Sequence, residues 1–403
     1  MIIPAYNDAD HLRICLSSLQ ESGFQDYECI VVDDGSADGT GEVARVFHAT
    51  LLSTGSRKGP ACARNTGAAS ATGEILFFID SDVCVRPDTL QRVATAFTED
   101  PKLDALIGSY DDDPSSPDFV SRYRNLMHCY VHRHGRRKAS TFWCGCGAIR
   151  RAVFEEAKGF DESYTRPSVE DIELGYRLSR LHKKMILEPD LTVKHLKQWT
   201  FWGLIRTDIL CRGIPWTELI LRYRKMPDDL NLKFGQRLSV VLVFLAVMMA
   251  SLALVHSWRA FALSLLTLAL LAFAPRGLAR RVAGILCGGY LLFLARAVIV
   301  RLPQQLAAYG FCVSLAIVIL LNADFYLFLA ARMGKLNALA AIPFHMLFFF
   351  YSGVASVLGV VKYMVRPHSA MIAGRTRSES CSQSERAASD SGTNCPPRNI
   401  KKR

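Results

Sequence analysis

The sequence predicts a chain in two parts: an α/β domain on a mostly parallel sheet, followed by an α-helical transmembrane domain. Three observations predict it. Ile75–Ile79 is wholly apolar, as a strand buried on both faces should be, and it runs straight into Asp80-Ser81-Asp82. Two earlier apolar runs, Ile2-Ile3 and Cys29–Val32, flank a helical pattern. Strand, helix and strand within about thirty residues make a βαβ unit, which implies a parallel sheet. Finally, residues 238–365 are dominated by long apolar stretches in tandem, too many for the core helices of a soluble protein.

The elements follow in order. Ile2-Ile3 is the stub of a first strand, closed by Pro4. Asp8 or Asp10 can cap the next helix, whose buried face is Leu12, Leu16 and Leu19. Cys29–Val32 is the second strand and ends in Asp33-Asp34-Gly35-Ser36. Ala49–Leu52 reads as a third strand, Pro60–Ala71 as a helix and Ile75–Ile79 as the next strand. Further on, Ser168 followed three residues later by Asp171 resembles a capping box. Leu174, Leu178 and Leu181 give that helix one buried face.

Ligands of open α/β sheets bind at the carboxyl ends of the strands. Asn7, Asp33, Asp34, Asp80 and Asp82 all fall there. Each alone could be a turn or cap residue, but together they end three successive strands. Side chains two apart on a strand point the same way, so Asp80 and Asp82 can face one hard cation. Mg²⁺ takes one or two protein carboxylates and fills its other positions with phosphate oxygens and water, which suits a nucleotide diphosphate. Arg64, in Gly59-Pro60-Ala61-Cys62-Ala63-Arg64-Asn65-Thr66-Gly67, can neutralise that diphosphate. Asp171, in the first turn of its helix, is held ionised by the helix terminus and can deprotonate an acceptor hydroxyl.

The chain has 403 residues, a formal charge of +11 and a pI near 9.1. Leu238–Ser257, Ala260–Ala274, Val282–Val300, Leu306–Ala331 and Ala338–Val361 suggest about four or five spans. Arg296 and Asp324 are the charges inside them; snorkelling or mutual pairing accounts for both more simply than a transport role. Arg222, Arg224, Lys225, Lys233 and Arg237 flank the first span, which puts the N-terminal domain on the cytoplasmic face. Arg276, Arg280 and Arg281 fit a cytoplasmic return. Anionic membrane lipid, not nucleic acid, is then the expected counter-charge. No cleavable signal peptide is expected from the start of the chain. The twelve cysteines are scattered, as in a reduced cytoplasmic domain. His128, Cys129, His132 and His134 lack a second ligand pair at structural-zinc spacing and are not expected to bind metal. The domain boundaries are 1–215 for the α/β domain, 216–237 for a basic juxtamembrane segment, 238–365 for the spans and 366–403 for a disordered Ser/Arg-rich tail. Before the spans, Trp199, Phe201, Trp202 and Trp216 mixed with Arg206, Arg212 and Arg222 suit a membrane interface.

Pro4-Ala5-Tyr6-Asn7, Val31-Val32-Asp33-Asp34-Gly35-Ser36, Ala63-Arg64-Asn65-Thr66-Gly67, Asp80-Ser81-Asp82, Gly159-Phe160-Asp161-Glu162 and Glu170-Asp171 resemble, in order, the motifs of family 2 inverting glycosyltransferases. The resemblance covers roughly residues 1–215. It implies a Rossmann-like GT-A fold, a hexosyltransferase activity, a UDP- or GDP-sugar donor, a lipid-linked or other membrane-associated acceptor and Mg²⁺ or Mn²⁺. It places Ala5, Tyr6, Asp33 and Asp34 around the base and ribose, with Pro4, Asn7, Arg64 and Asp80 completing the donor site. Asp80 and Asp82 become the metal-binding triplet, Asp171 the catalytic base, and His195 a metal or diphosphate contact. Such an enzyme would serve cell-envelope polysaccharide or glycolipid synthesis.

Two departures qualify the resemblance. The chain begins almost inside its first strand, so either that strand is short or the true start lies upstream. The Gln-x-x-Arg-Trp motif of processive synthases is missing, and Lys197-Gln198-Trp199-Thr200 is only a partial echo. A processive exopolysaccharide synthase and a non-catalytic membrane assembly protein are therefore the alternatives. Product length separates the first, and the full set of carboxylates counts against the second.

Overall fold

The computed structural model describes residues 1–255 and 304–365. The chain divides into two compact units, Met1–Val360 and Val361–Arg403. The second is described only through Val365, the end of the last helix. The expected spans Ala260–Ala274 and Val282–Val300, the charge on Arg296 and the tail from 366 lie outside the described residues.

The first unit opens with strand β1 (Ile2–Ala5), helix α1 (Ala9–Gln20), β2 (Ile30–Asp33), α2 (Thr40–Val46), β3 (Thr50–Ser53), α3 (Pro60–Ser70) and β4 (Ile75–Phe78). The four strands and α3 lie within a residue or two of the expected bounds, α1 is the expected helix between β1 and β2, and α2 was not foreseen. β1 pairs in parallel with both β2 and β4, and β2 with β3. Pro4 lies inside β1 and does not close it. Pairing with β4 is confined to Ile2 opposite Phe78, so the strand is already free of that neighbour by Pro4, which is how a proline is accommodated. Leu12, Leu16 and Leu19 of α1 are buried as the periodicity requires.

The second half of the sheet is not parallel throughout. It comprises β5 (Val83–Cys84), α4 (Thr89–Glu99), β6 (Ala105–Tyr110), α5 (Phe119–Arg133), β7 (Gly147–Arg150), α6 (Arg151–Glu156), α7 (Glu170–Arg180) and β8 (Met185–His195). The strand order is β3-β2-β1-β4-β7-β6-β8-β5. β7 runs antiparallel to β4 and β6, and β5 antiparallel to β8. One apolar cluster lies on each side of this sheet, the first around Ile3, Val31 and Ile79, the second around Ile2, Val32 and Phe78. Alternate residues of β1 and β2 thus fill opposite layers, as strand geometry dictates.

After β8 come α8 (Phe201–Thr207), a π-helical turn (Asp208–Gly213), α9 (Ile214–Tyr223) and α10 (Phe234–Val255). Then follow α11 (Gln304–Leu321), α12 (Ala323–Met333) and α13 (Lys335–Val365). α10 and α13 are long and apolar enough to cross a membrane. The expected span Leu306–Ala331 is broken at Asn322: Gly310–Leu321 and Ala323–Met333 meet at 64°. The cause is visible in the packing. Phe325, Leu329 and Met333 of α12 bury against Tyr123, Leu126 and Met127 of α5. Arg332 also pairs with Asp112 at 2.7 Å. α12 is therefore docked on the α/β domain. Asp324 lies in its first turn, where a helix N-terminus favours an anion.

A second tie joins these parts. Asp208, buried in the π-helical turn, accepts from Arg124 of α5 at 3.0 Å, Arg212 at 2.8 Å and the Tyr351 hydroxyl of α13 at 2.8 Å. The segment expected at a membrane interface is split between faces. Trp199, Leu204 and Leu219 are buried, whereas Trp202 is 76% exposed.

Candidate active site

The carboxyl ends of β1, β2 and β4 form one rim, because these strands are neighbours in the sheet. At β1, Asn7 adopts φ 49°, a conformation asparagine tolerates. Its Oδ1 accepts from Ala37 N at 2.8 Å, and its N–H donates to Ser36 Oγ at 2.9 Å. Tyr6 lies under the Arg57 guanidinium, 4.2 Å from the ring centroid. At β2, Asp33 accepts from Ser36 N at 2.9 Å. Asp34 is buried and takes the Thr54 hydroxyl (2.8 Å), Lys58 N (2.9 Å) and Gly59 N (2.8 Å). That grip holds the start of α3. Gly59 has φ +100°, and a Cβ there would press on the Thr165 backbone, so the turn demands glycine.

The carboxylate triplet departs from the strand argument. β4 ends at Phe78, and Asp80–Asp82 form a turn closed by Val83 N donating to Asp80 O. The two carboxylates take different partners. Asp80 takes Arg64 Nη2 at 2.7 Å, and Asp82 lies 3.5 Å from His195 Nε2. Ser81 between them donates to Asp8 at 2.5 Å. Asp8 occupies the N-cap position of α1 but makes no cap bond from its side chain. The expected cap is given up for Ser81 and His11, the latter at 2.6 Å.

β5 explains how His195 arrives. Its antiparallel register sets Val83 opposite His195, which brings Asp82 to the imidazole. Nδ1 of His195 meets Asn125 Oδ1 at 2.7 Å, and the ring stacks on Tyr110 at 4.2 Å. Burial pushes the Asp82 carboxyl upward, but His195 and then Lys197 outweigh it and bring it down to about 2. No three acidic, histidine or cysteine side chains converge as a ready ligand set among the described residues. The donor types still fit a hard divalent cation. Asp80 and Asp82 are the one or two carboxylates such an ion takes, and His195 adds a nitrogen that Mn²⁺ tolerates.

Arg64 is buried on α3 and donates to Asp80 at 2.7 Å and to Glu170 at 2.9 Å. It is neither a surface arginine nor a cation waiting for a phosphate. One guanidinium between two carboxylates leaves the trio with a net negative charge.

Glu170 and Asp171 open α7, whose N-cap is Val169 without a side-chain cap bond. The expected capping box does not form: Ser168 N donates to Glu170, and Asp171 is left to other work. Asp171 accepts from Cys144 N at 3.2 Å and from Ile172 N at 2.7 Å. Its carboxyl is pushed up to about 7, chiefly by burial and then by the neighbouring Glu170, against the opposing pull of Arg64. The helix terminus therefore fails to keep it strongly acidic, contrary to expectation. Gly175 explains the closeness of Cys144: a Cβ on it would overlap the backbone of Thr141 and Phe142, so only glycine lets α7 press on that stretch.

Cys144 N–H and Asn125 escaped the sequence reading, and Asp8 and Glu170 appeared there only as a helix cap and as part of a motif. Glu170 had a signal, since a single cap could not account for three acids in one turn. The others depend on partners many residues away. His132 Nδ1 meets Gly108 O at 3.0 Å and His134 Nδ1 meets Tyr130 O at 2.8 Å. The His128 ring packs against Tyr110 and Trp143.

Residues 1–157 match the family model described as glycosyl transferase family 2. The match and the observed topology together support a GT-A-like α/β domain. The chain is 31% identical over 215 residues to the pre-mycofactocin glycosyltransferase of Mycobacterium tuberculosis, covering 49% of this chain and 44% of that protein. It is 29% identical over 216 residues to the validoxylamine A glucosyltransferase of Streptomyces hygroscopicus subsp. jinggangensis, covering 44% and 50%. With the glycosyltransferase GlyA of Streptococcus pneumoniae it shares 32% identity over 114 residues, 27% of this chain and 16% of that one. The chain thus spans half or less of the length of these relatives. Among solved structures, the mannosyltransferase PcManGT from Pyrobaculum calidifontis, in complex with GDP-Man and Mn²⁺, aligns with a TM-score of 0.44 at 20% identity, over 77% of this chain and 83% of that one.

Proposed function

We propose that the chain is a membrane-bound, metal-dependent, inverting glycosyltransferase that moves a sugar from a UDP- or GDP-sugar to a lipid-linked or other membrane-associated acceptor. The observation that carries this reading is Asp171: a carboxyl raised to about 7, held by Cys144 N–H, beside the Arg64–Asp80 pair at the rim of the sheet. A general base works best when its pKa lies near the working pH.

In this reading Asp33, Asp34, Tyr6 and Asn7 shape the nucleotide end of the site. A divalent cation, held by Asp80, Asp82 and His195, would offset charge on the leaving diphosphate. Arg64 locks Asp80 and Glu170 in place. Asp171 takes the proton of an acceptor hydroxyl, and the oxygen attacks the anomeric carbon opposite the leaving group. One displacement inverts the configuration without a covalent sugar–enzyme intermediate. α10 and α13, both apolar enough to span a bilayer, support an acceptor at the membrane, and the basic residues before α10 favour the α/β domain on the cytoplasmic face.

Membranes containing the protein, incubated with Mn²⁺ or Mg²⁺, lipid extract and labelled UDP- and GDP-sugars, test the reading. Label entering lipid from one donor, and lost in Asp171→Asn, is expected. Transfer unaffected by that substitution would refute the role of Asp171, and label in long polymer would replace the reading with a processive synthase.

A further inference from the structure

With Arg64 committed to two carboxylates, the positive charge facing a phosphate must come from elsewhere. Two cations sit on one indole beyond the end of β8. Lys197 Nζ lies 4.9 Å and the Arg212 guanidinium 5.5 Å from the Trp199 ring centroid. Lys197 makes no ion pair among the described residues, and it follows His195, which lies 3.5 Å from Asp82, by two positions. The half-exposed Arg212 shares a single carboxylate, Asp208, with the buried Arg124, so that trio carries a net positive charge. Trp199 is 8% exposed, and its Nε1–H has no partner. A buried donor without an acceptor costs free energy unless a ligand supplies one.

Each cation–ring contact contributes only about 0.5–1 kcal/mol at an exposed site, and like charges on one ring repel. The arrangement is therefore favourable chiefly when an anion joins it. Backbone geometry keeps the group in place: Trp199 N donates to Ser121 Oγ at 2.7 Å, tying it to α5 next to Arg124 and Asn125. Asn125 in turn holds His195 against Asp82. The cluster thus adjoins the candidate cation ligands.

We infer that Lys197, Trp199 and Arg212 form a phosphate-binding site beside Asp82, which takes either the diphosphate of the nucleotide sugar or the phosphate head of a lipid acceptor. The inference rests on the proposed transferase reading for its ligands, but its test measures binding and not turnover.

The full-length protein in detergent is titrated with UDP and GDP in Mg²⁺, and separately with decyl phosphate, while tryptophan fluorescence and calorimetry report binding. Lys197→Gln and Arg212→Gln should each weaken at least one phosphate probe by about tenfold or more, the size of a lost charged hydrogen bond. Lys197→Arg should retain affinity. Loss confined to UDP and GDP assigns the site to the donor, and loss confined to decyl phosphate assigns it to a lipid phosphate. Wild-type affinity of both variants for every probe overturns the inference. Lys197 is exposed, so its variant should melt as wild type does, and a fold defect in Arg212→Gln would not obscure the result. A null result here with Asp171-dependent transfer intact would sink this site alone.

Discussion

Replacing Asp171 with Asn keeps the shape of the side chain and removes its charge, and two opposite effects should follow. Activity should collapse. A positioned general base contributes typically ~10²–10⁴-fold, so kcat should fall by about that factor. Stability should rise, and by more at higher pH. The Asp171 carboxyl rises from 3.8 to about 7 on folding, chiefly through burial and Glu170. The folded state therefore holds a proton that the unfolded chain releases between those values. Stability from this group is full below about pH 4, declines as pH climbs, and is lost once pH passes about 7. The rise corresponds to roughly 4 kcal/mol at most. Asp171 is half-buried, so solvent screening trims this to about 1–3 kcal/mol. The assay is thermal melting of the full-length protein in detergent at about pH 5 and about pH 8, alongside transfer. Asp171→Asn should melt higher than wild type, by more at the higher pH. Wild-type kcat/KM should climb with pH and level off above about 7. A variant that melts lower at pH 8, or a rate independent of pH across this range, would refute the argument that Asp171 is a strained, near-neutral base. Survival of transfer in the variant would point to an acceptor phosphate, which needs no deprotonation.

The remaining predictions concern the groups that hold the site together. Arg64→Met strands Glu170 in a buried position and should cost about 3–5 kcal/mol, read as a lower melting temperature; Arg64→Lys should recover only part, since one ammonium lacks the fork that reaches both carboxylates. Asp34→Ala removes the acceptor of Thr54, Lys58 N and Gly59 N, and should cost about 1–3 kcal/mol and raise the donor KM more than it lowers kcat. Gly59→Ala forces a β-carbon at φ +100° against the Thr165 backbone, so it should destabilise by about 1–3 kcal/mol, measured by the same melt.

What could be read in advance was local. β1, β2 and β4 show as short apolar runs, and α1 and α7 as periodic leucines, because burial of one strand or one helical stripe is written within a few residues. β5 has two residues and no signal of its own; it exists because Val83 meets His195, 112 positions on, across a non-local pairing. The same limit governs the site. Most of its members could be named as candidates from the sequence, but the partners each would take were not legible. Asp80 and Asp82 were expected to share a strand face; β4 stops two residues earlier, and each carboxylate takes its own partner, Arg64 or His195. Arg64 was expected to serve a ligand and is held by Asp80 and by Glu170, 106 positions away. The ionisation of Asp171 depends on this network more than on its helix. The helix terminus and Arg64 favour the charge, while burial and Glu170 oppose it, and the opposition prevails. The balance is what suits the residue to proton transfer: a carboxylate fully paired with Arg64 would be too weak a base. By giving Arg64 to Glu170 and Asp80, the fold uses a buried cation to fix geometry and leaves Asp171 the weaker acid. In the proposed reading, the positive charge that meets a diphosphate comes from outside that trio.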